Sequence, residues 1–285
     1  LISHEPAIKN KGGYLNDYTK FIQDYGEANI LAATQPVDWN PPRTVKHFVL
    51  QPLDEKAIHD FLLSRKQELK NPVDDYEERC EKHLAKVLSR EQPQEILEGV
   101  KRVMSNPMDL TIVAMMLAQG KEPDLFHLVE QQFEMVKEDY TNIYKTDFPL
   151  LRFSERIYQD QLNDIKTLPH EEFANEINLL EKSKMAFSRK SKDGTLWYFR
   201  HDKIRDFFIV QTFLGTGNDR PKEHFEDSRF RGVYFLLAIL MPEEEAMSLR
   251  ELLIQHAADT KDHTVSDSFV QIMRTRKAKE KAGWK

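Results

Sequence analysis

Met185-Ala186-Phe187-Ser188-Arg189-Lys190-Ser191-Lys192-Asp193-Gly194-Thr195-Leu196-Trp197-Tyr198-Phe199 carries the one clear β signal in the second half of the chain. Two short runs flank Asp193-Gly194, a dipeptide suited to a tight hairpin because both central residues of the favoured turn take positive φ. Trp197 and Phe199 alternate, which places both on one side of the hairpin. The spacing predicts that both pack on the helix that follows at 203–214 and so fix the position of His201.

Around this hairpin the pattern is helical. Asp54 is the N-cap of a helix with Ile58, Phe61 and Leu62 on its buried face. Asn71-Pro72 breaks the chain, and Tyr76, Cys80, Leu84, Val87 and Leu88 mark a second helix over about 74–90. Pro93 opens a third, with Ile96, Leu97, Val100 and Val103. Ser105-Asn106-Pro107 stops the chain, which restarts at Asp109. The segment 110–118 is apolar on most sides and ends at Gly120, the signature of a central core helix. Pro123-Asp124 starts the next helix, and two more are expected near 147–162 and 169–182. Helices before a hairpin and a strong helix after it describe a winged-helix unit, closed by Gly215-Thr216-Gly217 and Pro221. Further helices follow at 230–240, at 242–257 with Glu243, Glu244 and Glu245 matching the helix dipole, and from about 266.

The first residues read differently. Leu1-Ile2-Ser3-His4-Glu5-Pro6 resembles the end of a strand. Tyr14, Leu15, Tyr18, Phe21, Ile22 and Tyr25 recur at helical spacing up to Gly26. Ala28-Asn29-Ile30-Leu31-Ala32-Ala33-Thr34 is a short apolar run stopped by Gln35-Pro36, as in a buried parallel strand. Residues 1–35 therefore read as one βαβ step, with the rest of the sheet expected upstream.

Composition bounds the function. The chain has 285 residues, 41 Lys+Arg against 47 Asp+Glu and a formal charge of −6, with 40% apolar and 31% charged residues. That balance suits a globular core and not a basic nucleic-acid coat. The longest apolar run, 232–241, falls far short of the roughly 20 residues that span a bilayer, so no membrane contact is expected. The single Cys80 excludes an internal disulfide framework and a Cys-rich zinc site, and makes a reducing, cytoplasmic compartment the expectation. No G-x-x-x-x-G-K-[ST], H-E-x-x-H or G-x-S-x-G occurs, so no phosphate cradle, zincin site or nucleophile elbow is present. Asp74-Asp75, and Asp202 with Asp206, read as solvated faces. Cys80 reads as a small buried hydrophobe. The expected catalytic and metal-ligand sets are empty.

Four segments, in order, resemble the downstream half of a STAND-type NTPase of the NACHT family. Asn29-Ile30-Leu31-Ala32-Ala33-Thr34-Gln35-Pro36 resembles the strand ending in T-x-R-P that carries the polar sensor residue beside the γ-phosphate, with Gln35 where the family usually has Arg. Phe48-Val49-Leu50-Gln51-Pro52-Leu53-Asp54 with Ile58 and Phe61-Leu62 is similar to the joint into the first helical domain. Asn106-Pro107-Met108-Asp109-Leu110 resembles the N-P-L turn whose proline packs near the adenine. Phe199-Arg200-His201-Asp202 followed by Arg205-Asp206-Phe207-Phe208 resembles the winged-helix motif whose histidine contacts the β-phosphate of ADP.

The resemblance implies a mainly α chain. It begins with a terminal fragment of a P-loop α/β sheet over 1–53. A helical domain over 54–122, a winged helix over 123–216 and a second helical domain over 217–285 follow. It implies ATP or ADP as cofactor, with Mg in the complete protein, and Gln35, Pro107 and His201 as nucleotide contacts. It implies an upstream P-loop region, an unknown trigger ligand and self-oligomerisation on activation, in signalling or antiviral defence. Lacking a Walker A loop and a Walker B strand, the chain alone is not expected to hydrolyse ATP. Two other readings stand beside it: a winged-helix DNA-binding regulator, using the basic wing Arg189-Lys190-Ser191-Lys192 and the basic tail from Arg274 to Lys281, and a helical scaffold that never meets nucleotide.

Overall fold

A computed structural model of the chain describes residues 13–25, 46, 48–69, 71–192 and 194–282. Two compact units divide between Gln51 and Pro52. The first holds helix α1 (Gly13–Asp24). The expected strand at 28–34, the strand end before it and Gln35 lie outside the described residues.

The second unit, Pro52–Lys285, is mainly helical with one small sheet. It opens with α2 (Glu55–Ser64), whose N-cap Asp54 accepts a hydrogen bond from the Ala57 N–H. This satisfies one of the donors that a helix start leaves unpaired. Asn71 takes φ +48° at the break before α3 (Tyr76–Val87), where Tyr76, Cys80, Leu84 and Val87 are buried. The Tyr76 hydroxyl donates to the Leu62 carbonyl at 2.7 Å, tying α3 to α2. Burial raises the Cys80 thiol pKa, in keeping with a structural cysteine.

Helix α4 (Gln94–Met104) follows Pro93, and α5 (Pro107–Ala118) follows Asn106. Eight of the twelve residues of α5 are buried, which makes it the central helix of this region. It stops before Gly120, whose φ of +71° reverses the chain where a side chain would be strained.

Next come α6 (Leu128–Tyr144), α7 (Leu150–Leu162) and α8 (Ala174–Lys182), then strands β1 (Ala186–Ser191) and β2 (Gly194–Phe199), then α9 (Asp202–Val210). Helix α6 starts four residues later than Asp124 suggests. The Asp124 carboxylate accepts from the Phe126 N–H and from His127, which holds 124–127 in a turn. The short α10 (Arg220–Glu223) leads to α11 (Arg231–Leu240), α12 (Glu243–Thr260) and α13 (Thr264–Ala282). Helix α13 packs against α11 and back against α4, where a Cβ on Gly99 would press on Phe126 and Thr275.

The strands pair antiparallel, with Ala186 opposite Phe199 and Ser191 opposite Gly194. Gly194 is thus the first paired residue of β2, with φ +129°, and the reversal falls one residue earlier than the Asp-Gly pattern predicts. The two aromatics of β2 also part company. Phe199 lies 5.5 Å from Phe208 of α9, as expected. Trp197 stacks instead on His170, 3.6 Å away and 7° from parallel, in the loop before α8. Its carbonyl accepts from the Leu168 N–H in the same loop. That backbone bond brings the loop, rather than α9, under the indole.

Phe208 is the hub of an aromatic core. Its ring meets Phe133 of α6, Phe148, Phe153 of α7, Phe199 of β2 and Phe207. These edge-on and offset contacts are the geometries that aromatic quadrupoles favour. They fix the second half of α9 against α6, α7 and β2. No helix among the described residues is long and apolar enough to cross a membrane.

Candidate functional site

The two described residues expected at a nucleotide sit at two helix starts. At α5, Asn106 is extended and its side chain accepts from the Met108 N–H at 2.9 Å. Pro107 occupies the first helical position, where its missing N–H leaves no donor unsatisfied. It is exposed. The Thr111 hydroxyl donates to the Pro107 carbonyl at 2.7 Å.

At α9, His201 is the N-cap, with φ −150° and ψ 147°. Its Nδ1 accepts from the Lys203 N–H at 3.1 Å. A neutral ring that accepts at Nδ1 holds its proton on Nε2. His201 is exposed. The hairpin is held there by backbone, through the Arg200 N–H to the Met185 carbonyl at 3.0 Å.

One ion pair joins these two helix starts. Lys203 Nζ donates to Asp109 Oδ1 at 2.8 Å. Asp109 is the third residue of α5 and is buried, with its side chain 5% exposed; Lys203 is the second residue of α9 and keeps 35%. Pro107 and His201 therefore lie within a turn of the same contact, although 94 residues separate them in sequence. Both helix starts bring the positive ends of their dipoles near this contact.

Neither Asp109 nor Lys203 was marked as a site residue by sequence. The available signal was a carboxylate inside an otherwise apolar run, Leu110 to Ala118 following Asp109, since a buried charge demands a partner. The identity of that partner is set by the tertiary fold.

Behind Lys203, Arg205 pairs with Asp202 at 2.5 Å. Asp206 lies one turn further, against α11. A Cβ on Gly232 would overlap its Oδ2. Burial pushes the Asp206 carboxyl up to about 7, against the pull of Arg205 and Lys166 and with the help of Asp202. This corrects the reading of Asp202 and Asp206 as one solvated acidic face: Asp202 is exposed, whereas Asp206 is pressed between two helices.

Near the first helix start, an open cleft of about 540 Å³ runs between the beginning of α2 and the end of α4. Leu53, Asp54, Ile58, Leu88, Lys101 and Ser105 line it. Ser105 immediately precedes Asn106. No cluster of His, Cys, Asp and Glu able to hold a metal occurs among the described residues. No protein-family model matches the chain, and no curated protein or solved structure matches it.

Proposed function

We propose that the chain is the regulatory half of a NACHT/STAND-type nucleotide switch, operating with a P-loop region that these 285 residues do not contain. The observation that carries this reading is the Asp109–Lys203 pair, which holds the helix starts of Pro107 and His201 together. In this reading α6 to α9 with the β1–β2 hairpin are the winged helix. Helices α2 to α5 are the first helical domain and α11 to α13 the second.

The residues fit ADP or ATP. His201 holds an exposed Nε2–H suited to a phosphate oxygen, and the first turn of α9 adds its positive end. Pro107 offers an exposed, rigid apolar face to a base. Bound nucleotide supplies the charge that draws the winged helix onto the nucleotide domain, with Gln35 as a neutral reporter of the γ-phosphate. Gln donates one hydrogen bond but lacks the charge that Arg brings to a transition state, so hydrolysis in the complete protein is slow. Release of the winged helix exposes the surface for oligomerisation, in a cytoplasmic defence or signalling protein.

A thermal-shift titration tests this. The complete protein, with its P-loop region, should gain stability with ADP in proportion to RT ln(1 + [L]/Kd). Absence of any shift with ADP and ATP leaves the helical-scaffold reading in its place.

A further inference from the structure

The strand register sorts the hairpin into two faces. Ala186, Ser188, Trp197 and Phe199 point one way, toward α8, His170 and α9. Phe187, Arg189, Leu196 and Tyr198 point the other way. Phe187 is 36% exposed and Leu196 38%, a high value for apolar side chains side by side on a sheet. The Phe187 and Tyr198 rings stack on each other across the strands, 5.5 Å apart and 25° from parallel, and form one aromatic surface on this side. A shallow depression of about 600 Å³ continues from it, lined by Arg189, Lys190, Ser191, Lys192, Leu196 and Tyr198.

The charge here runs against that of the chain. Residues 182–200 contain six basic residues, Lys182, Lys184, Arg189, Lys190, Lys192 and Arg200, and one acidic residue in sequence, in a protein of net charge −6. Arg189, Lys190 and Lys192 have no carboxylate partner among the described residues, and all three line this one depression. Cations left unpaired around exposed rings suit a ligand that brings both negative charge and flat apolar surface.

We propose that this outer face of the hairpin binds single-stranded nucleic acid. Arg189, Lys190 and Lys192 would meet the phosphates while unpaired bases stack on Phe187 and Tyr198. Each base presents a π-face, and aromatic platforms in a basic groove bind single strands with little sequence preference. Duplex DNA fits less well because its bases are already stacked on one another. The helix after the wing is not available as a reading helix, since Ile204, Phe207, Phe208 and Val210 are buried. The proposal stands independently of the nucleotide reading, for no residue of the Pro107–His201 region takes part.

The test is fluorescence anisotropy of the 285-residue chain with a labelled oligothymidine of about 15 nucleotides. The expected result is binding at low salt, with log K falling against log salt at a slope of roughly −2 for three neutralised phosphates. Phe187→Leu with Tyr198→Leu, which keeps apolar bulk but removes the stacking surface, should weaken binding by roughly tenfold or more. Arg189→Glu with Lys190→Glu should abolish it. Circular dichroism and the unfolding midpoint verify that each variant is folded. Absence of binding overturns the proposal. So does binding by the Leu variant equal to that of the parent, which would reveal simple polyanion attraction. Competition by polyglutamate as strong as that by unlabelled oligothymidine would point to an acidic protein partner and would equally overturn it.

Discussion

Helices α5 and α9 begin on either side of one ion pair, and they are capped by different chemistry. At α5 an Asn side chain accepts from the second helical N–H and a proline follows. Both are among the residues a helix start prefers. At α9 the cap is His201, which stands outside the favoured set of Ser, Thr, Asp and Asn. An imidazole caps with one nitrogen and presents the other outward, which no small cap residue does. The difference separates a helix start explained by stability from one that carries a spare donor. It also explains why His201 holds a fixed orientation while exposed.

The ion pair is the strongest lever on this comparison. Lys203→Ala leaves Asp109 buried without its partner. It should cost about 3 kcal/mol, the low end for a broken buried pair because Lys203 keeps part of its hydration. Asp109→Asn with Lys203→Met should cost clearly less, since no charge is left stranded. Urea unfolding of the single and double variants measures both, and equal losses would show that the pair contributes little.

Gly232→Ala comes next. In most helices this change stabilises, by up to about 1 kcal/mol. Here the new methyl overlaps Asp206 Oδ2, so the variant should lose about 2 kcal/mol. Asp206→Ala should restore most of that loss in the double variant.

Asp206 also makes the packing of α9 on α11 depend on pH. Its folded pKa is about 7, above the ordinary Asp value. The folded state then binds a proton that the unfolded chain has lost between about pH 4 and 7. This contribution is fully present below pH 4 and disappears as pH rises through about 7. Partial solvent contact limits it to about 2 kcal/mol. Asp206→Asn should flatten that part of the stability–pH curve. An unchanged curve would place the titrating group elsewhere.

The caps themselves give the smallest stability effects. Asn106→Ala should cost about 1 kcal/mol. His201→Asn replaces an unusual cap by a favoured one, and should leave stability unchanged or raise it by a few tenths of a kcal/mol. A loss as large as that of Asn106→Ala would make His201 a structural residue.

Local chemistry made most helix starts legible. Asp54, Pro93 and Asn106-Pro107 each mark a start that depends on neighbouring residues alone. Helix α6 was placed early because Asp124 fits both a cap and a turn, and the turn won through His127 and the Phe126 N–H. The hairpin was legible from its dipeptide, but its closing pair Ser191–Gly194 depends on cross-strand register. Trp197 was assigned to the correct face and the wrong neighbour, because sequence alternation gives a side and not what lies beneath it. Of the residues expected at a nucleotide, Pro107 and His201 fall at helix starts, and Gln35 lies outside the described residues. The contact that unites the other two joins residues 109 and 203, and no local pattern encodes it.

The most direct measurement of the central claim is calorimetric ADP affinity for His201→Asn in the complete protein, beside the parent. The cap is preserved and the outward Nε2–H is lost. The account predicts an unchanged unfolding midpoint without nucleotide and ADP binding weaker by roughly ten- to a hundredfold, the worth of one hydrogen bond to a charged group. Equal ADP affinity in the two proteins would contradict it.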